Sequence, residues 1–125
     1  MDVTPLIPQG SQIIQGYSGG AFRVSGQAYN GPVVVMIDKT FAWPVANVTE
    51  PLTIDDFSVL FPESENLDVV LVGCGARMGS IPFALRQALK ERNLAVEFMD
   101  TGAACRTYNV LMAEGRRVAA ALLPV

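Results

Sequence analysis

Short apolar runs separated by glycine fill the N-terminal part of the chain. Gln12 to Tyr17, Phe22 to Val24, Gln27 to Tyr29 and Val33 to Ile37 have strand-like composition, and Gly19-Gly20, Gly26 and Asn30-Gly31 stand between them. This punctuation predicts antiparallel strands joined by tight turns. Asn30-Gly31 in particular predicts a two-residue hairpin, whose central residues both need positive φ. Val33-Val34-Val35-Met36-Ile37 is apolar at every position, the pattern of a central strand covered on both faces.

Beyond Trp43-Pro44 the pattern changes period. Thr53 followed by Asp56 has the form of a capping box, and Ile54, Phe57, Leu60 and Phe61 then make the stripe of a short amphipathic helix that Pro62 should end. Leu67 to Val72 reads as a buried strand. The glycine-rich turn Gly73 to Gly79 leads into a helix over about Pro82 to Arg92, with Ile81, Leu85, Ala88 and Leu89 facing the core. Ala95 to Met99 is another strand. Asp100-Thr101-Gly102 opens a helix running through about Ala113, Gly115 caps it, and Val118 to Leu123 is a last strand. A meander followed by a short helix and β-α-β-α-β predicts an α/β protein with a mixed sheet flanked by helices. No domain boundary, repeat or low-complexity stretch is visible, so residues 1–125 read as one domain.

Composition removes several classes of chemistry. The chain has no histidine, which excludes Ser-His-Asp and Cys-His nucleophile pairs, His-ligated zinc and imidazole acid-base catalysis. Nine Lys and Arg against twelve Asp and Glu leave a net charge of -3, and no basic run exceeds Arg116-Arg117, so nucleic acid is not an expected partner. Cys74 and Cys105 are too far apart for a C-x-x-C motif or a zinc site; no metal and no cofactor is expected. Met1 to Gly10 carries no leader pattern. No apolar run reaches the roughly 18–20 residues of a membrane span. The expectation is a cytoplasmic protein without a transmembrane segment.

The residues that can still carry chemistry collect at one sheet edge. If the strands before Gly73 and Asp100 are parallel, their following loops leave together at the carboxyl edge, where open α/β sheets place ligands. Gly73, Cys74, Gly75, Arg77 and Ser80 would meet Asp100, Thr101, Cys105, Arg106 and Asn109 there, beside helix N-termini suited to an anion. The plainer reading is structural: glycines make tight turns, Ser80 or Thr101 caps a helix, and Asp100 complements a helix dipole. A dinucleotide site fits poorly, because Gly73, Gly75 and Gly79 miss the G-x-G-x-x-G spacing by one, with Met78 in the third glycine's place. Both cysteines lie near helix starts with an arginine close by, which favours thiolate, and they could approach across neighbouring loops; inert buried thiols are the plainer account. Trp43, beside Pro44 in a connecting segment, is either core or an anchor for a partner. The acidic residues Asp55, Asp56, Glu63 and Glu65 offer no acid-base pair.

The block Val96 to Leu111, with Asp100-Thr101-Gly102-Ala103-Ala104-Cys105-Arg106-Thr107-Tyr108-Asn109 at its centre, continues into Glu114-Gly115-Arg116-Arg117-Val118-Ala119-Ala120-Ala121-Leu122. Together with Val70-Leu71-Val72-Gly73-Cys74-Gly75, Trp43, Gly16-Tyr17 and Tyr29-Asn30-Gly31, it resembles the mitochondrial complex I assembly factor 3 family, which includes many small bacterial and archaeal domains. The resemblance covers nearly the whole chain. It implies a three-layer fold with a central mixed sheet flanked by helices and an additional N-terminal β-meander layer. It further implies a non-catalytic assembly or interaction role whose partners are other proteins, the assembly factors or subunits of a respiratory membrane complex. The family commonly has Gly-Thr-Gly where this chain has Gly73-Cys74-Gly75, so a thiol at 74 is not a family requirement. Cys105, Asn109, Glu114, Gly115 and Arg116 match the family pattern without a catalytic role attached to them.

Overall fold

A computed structural model of the chain describes residues 10–45, 48–77 and 79–125. Met78 and most of the Met1 to Gly10 stretch lie outside the described residues. Strands β1 (Ile14–Ser18), β2 (Ala21–Val24) and β3 (Gln27–Asn30) form an antiparallel three-stranded meander. Its two turns have positive φ at both central residues, Gly19-Gly20 and Ser25-Gly26, the geometry that matches the right-handed twist of paired strands.

Among the described residues the second sheet has five strands. These are β4 (Val33–Met36), β5 (Thr40–Ala42), β6 (Val69–Gly73), β7 (Val96–Met99) and β8 (Val118–Leu122), in the order β5-β4-β8-β6-β7. β4 pairs antiparallel with β5 and β8, whereas β6 pairs parallel with β7 and β8, so the sheet is mixed. Helices α1 (Phe83–Glu91) and α2 (Thr101–Ala113) follow β6 and β7. Each residue from Val33 to Met36 and from Val118 to Leu122 is buried, as expected of central strands.

Alternation along these strands feeds two cores. Val33, Val35, Leu71, Val118, Ala120 and Leu122 face one side, where Ala104, Tyr108 and Met112 of α2 and Ile14, Phe22 and Val24 of the meander cover them. Val34, Val70, Val72, Ala119 and Ala121 face the other, against Leu85 and Leu89 of α1 together with Trp43, Phe57 and Leu60. The result is three layers: meander with α2, central sheet, then α1 with the segment 54–66.

Two local expectations are corrected. Asn30-Gly31 does not join a hairpin: β3 and β4 lie in different sheets, and the Gly31 N–H donates to Gly20 C=O at 2.9 Å while Pro32 C=O accepts from the Trp43 N–H at 2.9 Å. β3 is mostly exposed, and a fully buried β4 takes its two neighbours from the apolar β5 and β8 instead. Pro62 does not end its helix either. Ile54–Asn66 is a 3₁₀ helix with Pro62 inside it; Ile54, Phe57 and Leu60 recur every third residue, which is the 3₁₀ period of 3.0 rather than 3.6. Its start is as expected, with the Thr53 N–H donating to Asp56 Oδ2 at 2.8 Å. Gly115, at φ +83°, follows the end of α2 and donates to Met112 C=O at 3.0 Å.

Candidate functional site

Parallel pairing of β6 with β7 and β8 sends the loop after Gly73, the Asp100 turn and the chain after Leu122 out of one sheet edge. There the polar groups are spent on one another. Thr101 is fully buried; its Oγ1 donates to Leu123 C=O at 2.7 Å and accepts from the Gly75 N–H at 2.9 Å. Its own N–H donates to Gly75 C=O at 2.9 Å, the Cys74 N–H to Met99 C=O at 2.8 Å, and the Leu123 N–H to Gly73 C=O at 2.9 Å. Gly73 permits this approach: a Cβ on it would lie 2.9 Å from Thr101 Cα. Asp100 caps α2, its Oδ1 accepting from the Ala103 N–H at 2.8 Å. The N–H groups of Gly75, Thr101 and Ala103, which an anion would need, all have internal acceptors.

The other candidate residues separate. Cys74 is half-buried on the α1 side of the sheet, at a cavity of about 270 Å³ that it shares with Ser80, Ile81, Pro82 and Leu85. Cys105 is buried in α2 on the opposite side. The thiols therefore do not approach each other across the loops. Burial also reverses the expected tendency to thiolate, raising Cys74 and pushing Cys105 up to about 11, where Arg106 offsets it only in part. Arg77 and Ser80 are exposed.

Arg106 and Asn109 serve the meander. Arg106 Nη1 donates to the Tyr17 hydroxyl at 3.5 Å. Asn109 engages both main-chain groups of Ile14: Nδ2 donates to the C=O at 2.7 Å, and the Ile14 N–H donates to Oδ1 at 3.0 Å, beside the irregularity in register between Ile14 and Gly16. The neighbouring Tyr108 hydroxyl donates to Gln12 C=O at 2.9 Å. α2 thus clamps β1 to the central layer. Trp43, weighed above as a partner anchor, is core: only 2% exposed, it donates from Nε1 to Asp56 C=O at 2.7 Å and meets Phe57 edge-on at 5.7 Å between centroids.

Sequence reasoning missed a groove of about 260 Å³ at the open side of β7, lined by Arg86, Lys90, Leu94, Val96, Glu97 and Phe98 among others. The Arg86 guanidinium lies 5.1 Å from the centre of the Phe98 ring, an attractive cation-ring arrangement. The available signal was charge placement: α1 and the residue after it hold Arg86, Lys90 and Arg92 in a chain that is acidic overall.

Comparison with known proteins adds a second line of observation. The family model described as protein of unknown function, DUF498/DUF598, matches residues 14–123. An uncharacterised protein of Rhodobacter capsulatus is 34% identical over 116 residues, covering 93% of this chain and 87% of that protein. Human NADH dehydrogenase (ubiquinone) 1 alpha subcomplex assembly factor 3 is 33% identical over 111 residues, covering 89% of this chain, and the match spans 60% of the human protein. Among solved structures, a Bordetella pertussis protein described as an Mth938-like domain superposes with a TM-score of 0.77 at 26% identity, covering 99% of this chain and 92% of that one.

Proposed function

From the premise that the chain belongs to the DUF498/DUF598 family, we propose that it is a non-catalytic assembly domain, working in the cytoplasm through contacts with protein partners to assist biogenesis of a respiratory membrane complex. The observation that carries this reading is the similarity, over 89% of the chain, to a human protein named as an assembly factor for NADH dehydrogenase. The geometry is in keeping with it. At the carboxyl edge the Gly75 and Ala103 N–H groups, the Thr101 hydroxyl and the Asp100 carboxylate are engaged within the chain, and both thiols are pushed toward the protonated form. Among the described residues no helix is long and apolar enough to cross a membrane, so contact with a membrane complex falls to surface patches. Shared fold alone would not carry a role; the named relative does.

The test is removal of the protein from the cells that make it. Assembled NADH:ubiquinone oxidoreductase on native gels should fall while unassembled subunits accumulate, and the tagged protein, crosslinked in place, should capture assembly proteins or subunits. Normal amounts of the complex, together with stoichiometric recovery of a small metabolite in place of any protein, would overturn the reading.

A further inference from the structure

Among the described residues β7 ends the five-stranded sheet and has β6 on one side only. The ladder to β6 has a definite phase. The Val70 N–H donates to Ala95 C=O and the Cys74 N–H to Met99 C=O, each at 2.8 Å, and alternation along a parallel ladder then turns the odd-numbered residues of β7 toward β6. Val96 and Phe98 therefore direct their N–H and C=O groups outward. Such an edge is a template for an added strand. At the other end of the sheet β5 has three residues, and the Thr40 hydroxyl is held by Gln12 Oε1 at 2.8 Å.

Side chains supply the code. Val96 and Phe98 face the α1 side, where Arg86 and Lys90 line the adjoining groove; Glu97, which also borders that groove, is exposed, and Met99 packs on the α2 side. A strand laid along β7 would place alternate side chains beside Arg86 and Lys90 and the intervening ones opposite Glu97. Acidic groups suit the first set and are repelled at the second. A second copy fits badly: antiparallel pairing that joins Val96 to Phe98 of the other copy sets Glu97 against Glu97, a like-charge pair that destabilises a sheet.

We infer that the outer edge of β7, with Arg86 and Lys90 above it, is a docking site for an extended partner segment carrying acidic side chains at alternate positions and neutral or basic ones between. This rests on the assembly reading above and names the chemistry of its partner. The test uses the full-length, ¹⁵N-labelled chain with two capped octapeptides, one alternating threonine and glutamate, the other threonine and lysine. The acidic peptide should shift the Val96 and Phe98 amide resonances, slow their exchange with solvent and bind severalfold more tightly than the basic one. Arg86→Glu combined with Lys90→Glu should reverse that preference, and Lys90→Glu alone, which leaves Arg86 on Phe98, should narrow it. Unshifted Val96 and Phe98 resonances at millimolar acidic peptide, equal binding of both peptides, or concentration-dependent protection without peptide would each overturn the inference; the last would identify a second copy as the occupant. If the peptides fail while protein partners are still captured, the edge assignment falls and the assembly reading stands. If β7 takes the acidic peptide but no partner is captured and complex levels stay normal, the assembly reading falls instead.

Discussion

Thr101 does more at the carboxyl edge than a helix-start residue needs to do. Its hydroxyl joins Gly75 to Leu123 from a fully buried position. Thr101→Val keeps the shape but leaves the Gly75 N–H and the Leu123 C=O without that partner, at about 1–3 kcal/mol for each group left unsatisfied. Urea unfolding should register a loss of about 3 kcal/mol, and Thr101→Ser, which retains the hydroxyl, should lose much less. Cys105 makes a pH prediction. Its thiol ionises in the unfolded chain near the ordinary value of 9.0 but in the fold only at about 11. Between those values the unfolded state binds fewer protons, so stability falls as pH rises, by up to ~2 kcal/mol; below pH 9 the contribution is intact. The difference in unfolding free energy between the wild type and Cys105→Ala should shrink across pH 9–11 and stay constant below it.

At the scale of elements, strand and helix order follows from local pattern, but two boundaries obey rules that the pattern carries only faintly. The stripe of Ile54, Phe57 and Leu60 fits both a helix and a 3₁₀ segment until its spacing of three is taken literally, and Pro62 lies within the 3₁₀ run. Phe57 holds that segment down. Its ring stands between Trp43 at 5.7 Å and Phe98 at 6.5 Å, both edge-on. Phe57→Ala should therefore cost about 3–5 kcal/mol, as truncations of buried aromatic residues do, and calorimetry would register it as a lowered Tm. Asn30-Gly31 went the other way. Only Gly31 takes the positive φ expected of both residues, Asn30 stays in β3, and the strands on either side belong to separate sheets, because pairing is decided by which strand can cover the buried neighbour and not by the dipeptide alone.

For the whole molecule, layer order predicts where the structure opens. β8 lies between β4 and β6, every residue of it buried, with α2 over one of its faces. Its amides should exchange with solvent most slowly, while the outward Val96 and Phe98 amides of β7 exchange early despite lying in the same sheet. Slow exchange at those two positions in the isolated monomer would mean that the edge is covered within the chain.

Sequence by itself determined the order of the strands and helices other than β5, the mixed sheet, the doubly buried β4 and, by resemblance, the family, because these depend on local hydrophobic period and on residue identity. It also placed the loops after β6 and β7 at one edge. Only the tertiary structure decided what the candidate residues do there. Whether Thr101, Asp100 and Asn109 face a ligand or the chain's own main-chain groups depends on contacts between residues distant in sequence. Whether Cys74 and Cys105 meet depends on which side of the sheet each one occupies. The open edge of β7 was hidden for the same reason. A strand's free hydrogen-bonding side exists only once its neighbours have been chosen, and no property of Val96 or Phe98 alone discloses it.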